Sequence, residues 1–195
     1  KARLKEIRAD IPALQREANG RFGFSAKNTL VIAQALYERH KLITYPRTDS
    51  RHLPGDYLAT VKKVFGQQRS WQFGAFAGEA LEKNYVTKNP KVFNDAKVSD
   101  HFAVIPTTLL PKKLTEAEEK IYRMIVQRFL AVFFPPAEFL NTRRLSIVEE
   151  ETFLTEGKIL VKSGWKAVYG ATTTSGEKDE LLAIPDDAQV RCRGG

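Results

Sequence analysis

The residues best suited to chemistry in this 195-residue sequence lie in one short segment, Tyr45-Pro46-Arg47-Thr48-Asp49-Ser50. A phenol has a pKa of about 10 and becomes a useful nucleophile only where cationic groups stabilise the developing negative charge. Arg47 is permanently charged, and its planar fork matches phosphate oxygens. The segment therefore fits covalent attack by a tyrosine on a phosphodiester. From the residues alone, a core tyrosine beside a solvated turn is the alternative.

The net charge of +8 comes entirely from the first third of the chain. Residues 1–70 contain 14 Lys and Arg against 6 Asp and Glu, whereas residues 71–195 contain 17 of each. A basic segment of this kind is typical of proteins that bind a polyphosphate such as a nucleic acid. A solvated basic face is the alternative interpretation.

Composition excludes several other classes of protein. With 43% hydrophobic and 28% charged residues, the chain is expected to fold rather than to remain disordered. No apolar run approaches the roughly 18 residues needed to span a bilayer, so no membrane partner is expected. The single cysteine, Cys192, excludes an internal disulfide and fits a cytoplasmic setting. Because the first residues lack a starting Met and a signal core, we interpret the chain as a fragment.

The elements that must position Tyr45 are predicted to be helical. Cap residues, prolines and apolar periodicity predict these segments. They are residues 1–20 with a break at Pro12, Ser25 to about His40, Pro54 to about Phe65, residues 73–83, and Glu116 to about Phe133 behind a capping box at Thr115–Glu118.

After Pro135-Pro136 the periodicity changes to that of β-strands. β-Branched residues between glycines predict strands over Arg144–Glu149, Thr152–Val161 and Trp165–Tyr169, and a last short strand over Ala188–Cys192. The predicted fold class is therefore α+β. We expect a helical domain over residues 1–143 that bears the tyrosine, followed by an incomplete β-rich segment over residues 144–195.

The Tyr45 segment resembles the active-site tyrosine motif of type IA DNA topoisomerases, and with Pro46 it most resembles the bacterial topoisomerase III group. The likeness runs in the family's order and spacing over residues 11–170. It includes Leu14–Asn19, Phe22–Lys27, Ala33–Glu38, Ser99–Thr107 and Gly157–Gly170.

The resemblance implies roles for particular residues. Tyr45 would cut one DNA strand and become linked to its 5′ phosphate, another strand would pass, and the 3′ hydroxyl would reseal the break. Arg47 would orient the scissile phosphate, and His101 would be a second contact to phosphate or to a carboxylate. The residues implied to contact DNA are Gln34, Glu38, Thr44, Thr48, Asp49 and Lys27.

The resemblance also implies a domain arrangement and a cofactor. The helical part would be the gate domain (domain III-like), and the strands would belong to the arch of the toroid (domain II-like). The family holds Mg²⁺ in a separate N-terminal Toprim domain, so we expect no metal ligands in this chain. The expected partners are single-stranded DNA and the Toprim and other domains of the same polypeptide, without oligomers. The isolated fragment is expected to be inactive.

Two other interpretations remain open at this stage. One is a non-catalytic module that binds single-stranded nucleic acid, in which Tyr45 stacks or packs. The other is a fragment of a reverse gyrase or of a plasmid-encoded relative, which would share the tyrosine chemistry.

Overall fold

The fold is seen in a computed structural model, which describes residues 10–98, 100–148 and 150–171. Within these residues the elements are the helices α1 (Ile11–Phe22), α2 (Ala26–Glu38), α3 (Leu58–Gln68), α4 (Gly74–Glu82) and α5 (Glu116–Ala131), the antiparallel strands β1 (Glu138–Val148) and β2 (Glu151–Lys162), and two 3₁₀-helices, Asp95–Lys97 and Gly164–Tyr169. This arrangement confirms the predicted α+β class. None of the described helices is long and apolar enough to span a bilayer.

Helix α1 begins one residue before Pro12. Pro12 lies in the first turn of α1, where its missing N–H has no intrahelical acceptor to lose. Gly23 ends the helix with a left-handed φ of 69°, and its N–H donates to the Asn19 carbonyl at 2.9 Å. Asp10, just before the helix, has an extended backbone. Residues 1–9 lie outside the described residues, so the predicted break of the helix at Pro12 stays a prediction.

Helix α2 leads directly into the Tyr45 segment. The Ser25 hydroxyl accepts from the Asn28 N–H at 3.1 Å, which caps the helix as predicted. After the C-terminal end of the helix, the chain reverses direction, and the Leu42 N–H donates to the Leu36 carbonyl at 2.9 Å. The residues of α2 that are buried in the core are Thr29, Ile32, Ala33 and Leu36.

Helix α5 is the central element of the core. Its predicted capping box is present, because Thr115 Oγ1 accepts from the Glu118 N–H at 3.3 Å and Glu118 Oε2 accepts from the Thr115 N–H at 2.8 Å. Phe129 packs on Phe65 of α3 with ring centroids 5.0 Å apart. The fully buried side chains of α5 include Ile121, Tyr122, Ile125, Phe129 and Leu130.

The two strands form a hairpin that projects from the helices. Strand β1 begins at Glu138, six residues before the predicted start at Arg144, and pairs with β2 so that Leu145 lies opposite Leu154. The change from helix to strand thus falls earlier in the chain than residue 143. The division into two domains at residues 143 and 144 stays a prediction.

The strand predicted over Trp165–Tyr169 is wrong, because this segment is a 3₁₀-helix docked on α5. The Trp165 N–H donates to the Pro135 carbonyl at 3.0 Å, and Gln127 Nε2 of α5 donates to the Val168 carbonyl at 3.2 Å. Val168 is buried in the core. The predicted strand Ala188–Cys192 lies outside the described residues.

Candidate active site

Tyr45 follows directly on a short buried bridge between two segments that are distant in sequence. Ile43 pairs antiparallel with Pro106, and the Thr44 N–H donates to the Ile105 carbonyl at 3.0 Å. Leu42 and Ile43 are almost fully buried. The backbone that precedes Tyr45 is therefore anchored in the core, which fixes where the phenol can lie.

The Thr44 side chain strengthens this anchor. Thr44 Oγ1 donates to the Ala103 carbonyl at 3.0 Å and accepts from the Ile105 N–H at 2.9 Å. Its hydroxyl is thus used in both directions by the backbone of residues 103–105. Thr44 positions Tyr45 through the protein and has little capacity left to contact DNA.

The ring of Tyr45 packs against His101. Their centroids are 4.2 Å apart with an interplanar angle of 36°, and Tyr37 of α2 meets the Tyr45 ring edge-on at 5.5 Å. Tyr45 is half-buried, whereas His101 is exposed. The structure thus brings together two of the three residues to which the sequence assigns catalytic roles.

Arg47 is held by Gln34 of α2. With its amide oxygen turned towards Arg47, Gln34 accepts from Nη2 at 2.6 Å and from Nε at 3.0 Å. This pair uses two of the five N–H donors of the guanidinium. Arg47 is otherwise exposed, so the remaining donors can bind an anion.

Thr48 fastens the loop that follows Arg47. Thr48 is buried, its Oγ1 donates to the His101 carbonyl at 3.5 Å, and it accepts from the Ser50 N–H at 3.1 Å. Ser50 Oγ in turn donates to the Lys97 carbonyl at 2.9 Å. These side-chain bonds to the backbone tie the Tyr45 loop to the segment that carries His101.

Three of the predicted DNA contacts have exposed side chains. Within the described residues, none of the side chains of Glu38, Asp49 and Lys27 forms a hydrogen bond or an ion pair. Lys27 lies in the first turn of α2, seven residues and so about 10 Å along the helix from Gln34. The DNA contacts predicted for these three side chains stay predictions.

Sequence reasoning did not assign a site role to Tyr37. Tyr37 lies three residues after Gln34, and side chains three apart share a helix face. That spacing places Tyr37, which contacts Tyr45, beside Gln34, which contacts Arg47. The same spacing in the sequence could have identified Tyr37.

The described residues contain no group of three or more His, Cys, Asp and Glu that could hold a metal ion. The side chains described above around Tyr45 are a phenol, an imidazole, an amide, hydroxyls and a guanidinium, whereas Mg²⁺ prefers oxygen ligands that include carboxylates. This site does not fit Mg²⁺.

Comparison with known proteins decides the family. The sequence model of the family described as DNA topoisomerase matches residues 6–194. The chain belongs to the DNA topoisomerase family. The predicted resemblance to type IA DNA topoisomerases is thereby confirmed, and so is the likeness to topoisomerase III, by the relatives that follow.

Two relatives of the chain among the topoisomerases are bacterial proteins named DNA topoisomerase 3. The protein of Bacillus licheniformis is 44% identical over 190 residues, covering 93% of this chain and 26% of that protein. The protein of Bacillus subtilis is 42% identical over 173 residues, covering 88% of this chain and 24% of its own length. The chain therefore spans about a quarter of the length of these relatives. Their name does not favour the alternative interpretation as a fragment of a reverse gyrase.

A solved topoisomerase shares the fold. The full-length topoisomerase I from Thermotoga maritima superposes with a TM-score of 0.62 at 24% identity, covering 94% of this chain and 30% of that one. At this identity the match establishes the fold of the topoisomerase chain and not the roles of its residues.

Proposed function

We propose that this chain is the part of an ATP-independent type IA DNA topoisomerase that carries the nucleophile, and that Tyr45 forms a transient 5′-phosphotyrosine link. The observation that carries the proposal is the placement of Tyr45 on His101, with Arg47 held two residues away by Gln34. A phenol, an imidazole and a fixed guanidinium are suited to displacement at phosphorus.

The reaction follows from these groups. Tyr45 Oη forms a bond to phosphorus as its proton is released, the bond from phosphorus to the 3′ oxygen breaks, and that oxygen takes up a proton. Religation reverses each of these changes after another strand has passed. Arg47 stabilises the charge on the non-bridging oxygens, and His101 makes the second contact to the phosphate.

Single-stranded DNA is the proposed partner of the basic segment. The exposed residues Lys27, Glu38 and Asp49 would meet the strand beyond the phenol, and Gln34 would act by holding Arg47. Thr44 and Thr48 would contribute by fixing the backbone on either side of Tyr45. Binding through phosphates makes the affinity fall as salt rises.

The remainder of the full-length protein completes the proposed enzyme. We place the Mg²⁺ ligands there, in a Toprim domain, because the site in this chain does not fit the ion. The chain alone is then unable to relax supercoiled DNA, no oligomer is needed, and the proposed setting is the bacterial cytoplasm.

A trapping experiment tests the proposal. The chain is mixed with a second polypeptide that supplies the rest of the protein, in Mg²⁺, with a single-stranded oligonucleotide labelled at its 3′ end. Because the link is to the 5′ phosphate, label should remain on the chain and should map to Tyr45. Tyr37→Phe is the matched control and should keep the label.

Two outcomes would contradict the proposal. Label that persists in Tyr45→Phe would assign the nucleophile elsewhere. Binding of the oligonucleotide without any adduct in the wild-type mixture would identify a non-catalytic nucleic-acid-binding module.

A further inference from the structure

A cleft lined by arginines lies among α1, the loop after Tyr45 and α5. Its lining residues are Ala13, Arg16 and Glu17 of α1, Arg51 of the loop and Arg128 of α5, and its volume is about 340 Å³. That volume falls within the range of about 300–1,000 Å³ that is typical of small-ligand sites. Three guanidinium groups from three separate segments thus converge on one space.

Two of these arginines are held in place by carboxylates. Arg51 donates to Asp10 Oδ2 from Nε at 3.1 Å and from Nη2 at 3.0 Å. Arg128 Nη2 lies 3.3 Å from Glu17 Oε2, and the other oxygen of Glu17 pairs with Arg21 at 2.7 Å. The carboxylates of Asp10 and Glu17 thus fix the positions of two of the three arginines that line the cleft.

The third lining arginine adds to the excess of positive charge. Arg16 is exposed and has no acidic partner within the part of the chain that the structure describes. The three lining arginines and the carboxylates of Asp10 and Glu17 together carry a net charge of +1. Positive charge around a concave space attracts an anion.

Arg128 offers a donor that the protein does not use. Its Nε is buried without a hydrogen-bond partner among the described residues. Its guanidinium lies 5.6 Å from the centroid of the Tyr169 ring, which restricts its orientation. A buried donor without a partner is costly, and an oxygen of a bound anion would satisfy it.

We propose that this cleft binds a phosphate of the DNA backbone and is a second anchoring point for the strand that Tyr45 cuts, an inference that rests on the proposed function. Arg51 lies four residues after Arg47, so their Cα atoms are at most about 14 Å apart. A strand rises about 3.4 Å per nucleotide, so a few nucleotides reach from one arginine to the other. The Ile11 N–H donates to the Thr48 carbonyl at 3.4 Å and joins the cleft to the loop.

Salt-dependent binding of a fluorescent single-stranded oligonucleotide to the 195-residue chain tests the inference. The variant is Arg16→Gln, and the matched control is Arg123→Gln, which removes an exposed guanidinium from α5 next to Phe73, away from the cleft. Each phosphate contact on a single strand contributes about 0.7 to the slope of log K against log salt. We expect Arg16→Gln to lose about 0.7 of slope, and Arg16→Lys and Arg123→Gln to keep the wild-type slope.

Inorganic phosphate distinguishes the possible sources of the anion. Arginine Nε–H resonances of the chain are followed by NMR during a phosphate titration, and shifts of Arg51 and Arg128 together with the loss of slope support the proposal. Phosphate binding with equal slopes for wild type and Arg16→Gln would assign the cleft to a free phosphate and overturn it. Equal slopes without phosphate binding overturn it as well.

Different experiments test the phosphate site in the cleft and the proposed function of Tyr45. The cleft is judged by noncovalent binding, whereas the nucleophile is judged by the adduct on Tyr45. Arg51→Lys is a second variant that keeps a cation opposite Asp10 but loses the planar fork. We expect it to weaken oligonucleotide binding several-fold while it keeps the slope; unchanged binding in a folded Arg51→Lys chain counts against the cleft.

Discussion

With its amide oxygen turned towards Arg47, Gln34 accepts two hydrogen bonds from the guanidinium, at 2.6 Å from Nη2 and 3.0 Å from Nε. Gln34 is half-buried on a helix, whereas Arg47 is exposed on a loop. The pair therefore connects the rigid helix α2 to the guanidinium two residues after Tyr45. A cation that is fixed before the substrate binds loses less entropy and needs less reorganisation in the transition state.

Substitution of Gln34 should uncouple catalysis from binding. In the complemented enzyme we expect Gln34→Leu to lower the rate of DNA cleavage about tenfold, which corresponds to about 1.4 kcal/mol of transition-state stabilisation. Oligonucleotide affinity should change less than about twofold because the charge of Arg47 remains. Gln67→Leu, at an exposed position of α3, is the control. An equal loss of cleavage and binding would show that Gln34 contacts DNA itself.

The contact between Tyr45 and His101 allows packing to be separated from chemistry. If His101 contacts the phosphate, His101→Ala and His101→Phe should both slow cleavage about 100-fold, the lower end of what one donor to the transition-state charge contributes. If His101 only supports the ring across the 4.2 Å contact, His101→Phe should restore the rate. Single-turnover cleavage of a labelled oligonucleotide distinguishes the two results.

The hydroxyl of Thr44 should matter for stability. Thr44→Val leaves the Ile105 N–H and the Ala103 carbonyl without their partner, at a cost of about 1–3 kcal/mol. Thr44→Ser keeps both bonds and should cost less than about 1 kcal/mol. Urea unfolding measures the difference, and equal stabilities for the two variants would show that water replaces the hydroxyl.

Glu118 should make the fold sensitive to acid. Burial alone would raise the pKa of its carboxyl, but hydrogen bonds from the backbone and hydroxyl of Thr115, from His40 and from Arg39 outweigh burial and lower the pKa from 4.5 to about 2. Because this pKa is lower in the folded state than in the unfolded state, the ionised carboxylate stabilises the fold above pH 4.5. That stabilisation is lost as the pH falls from 4.5 to about 2. The loss is about 3 kcal/mol.

The measurement is the free energy of unfolding between pH 2 and 5. Wild type should lose stability across this interval, and Glu118→Gln should be less stable at pH 6 with a flatter pH profile. Glu151→Gln, at an exposed position of β2, is the control and should keep the wild-type profile. An unchanged profile in Glu118→Gln would place the acid-sensitive groups elsewhere.

Elements with local signals could be predicted from the sequence, and those that depend on distant contacts could not. Ser25 and Thr115 cap their helices through bonds that span three residues, so the sequence is sufficient to place α2 and α5. Trp165–Tyr169 has the aromatic and β-branched composition of a strand. It becomes a 3₁₀-helix because Val168 is buried against α5, a contact across 41 residues of sequence.

The candidate site divides in the same way. Tyr45 and Arg47 stand out in one segment, and the resemblance to a family adds His101, which no local pattern connects to Tyr45. The Gln34 pair with Arg47 and the edge-on contact of Tyr37 depend on how α2 packs beside the loop. Such packing is decided by the buried face of the helix and not by the residues that do the chemistry.

A tight turn at Gly164 connects the hairpin to the docked 3₁₀-helix. Gly164 has a φ of +49°, and a Cβ there would lie 2.5 Å from the Pro136 carbonyl oxygen and 2.6 Å from that of Pro135. Gly164→Ala must therefore strain the backbone or break the bond from the Trp165 N–H to Pro135, at a cost of at least about 1–3 kcal/mol. Gly20→Ala, inside α1 with open space around it, should stabilise the chain by about 0.5–1 kcal/mol. Thermal unfolding of the two variants tests the pair, and a Gly164→Ala chain as stable as wild type would mean that docking of Val168 on α5 does not require this turn.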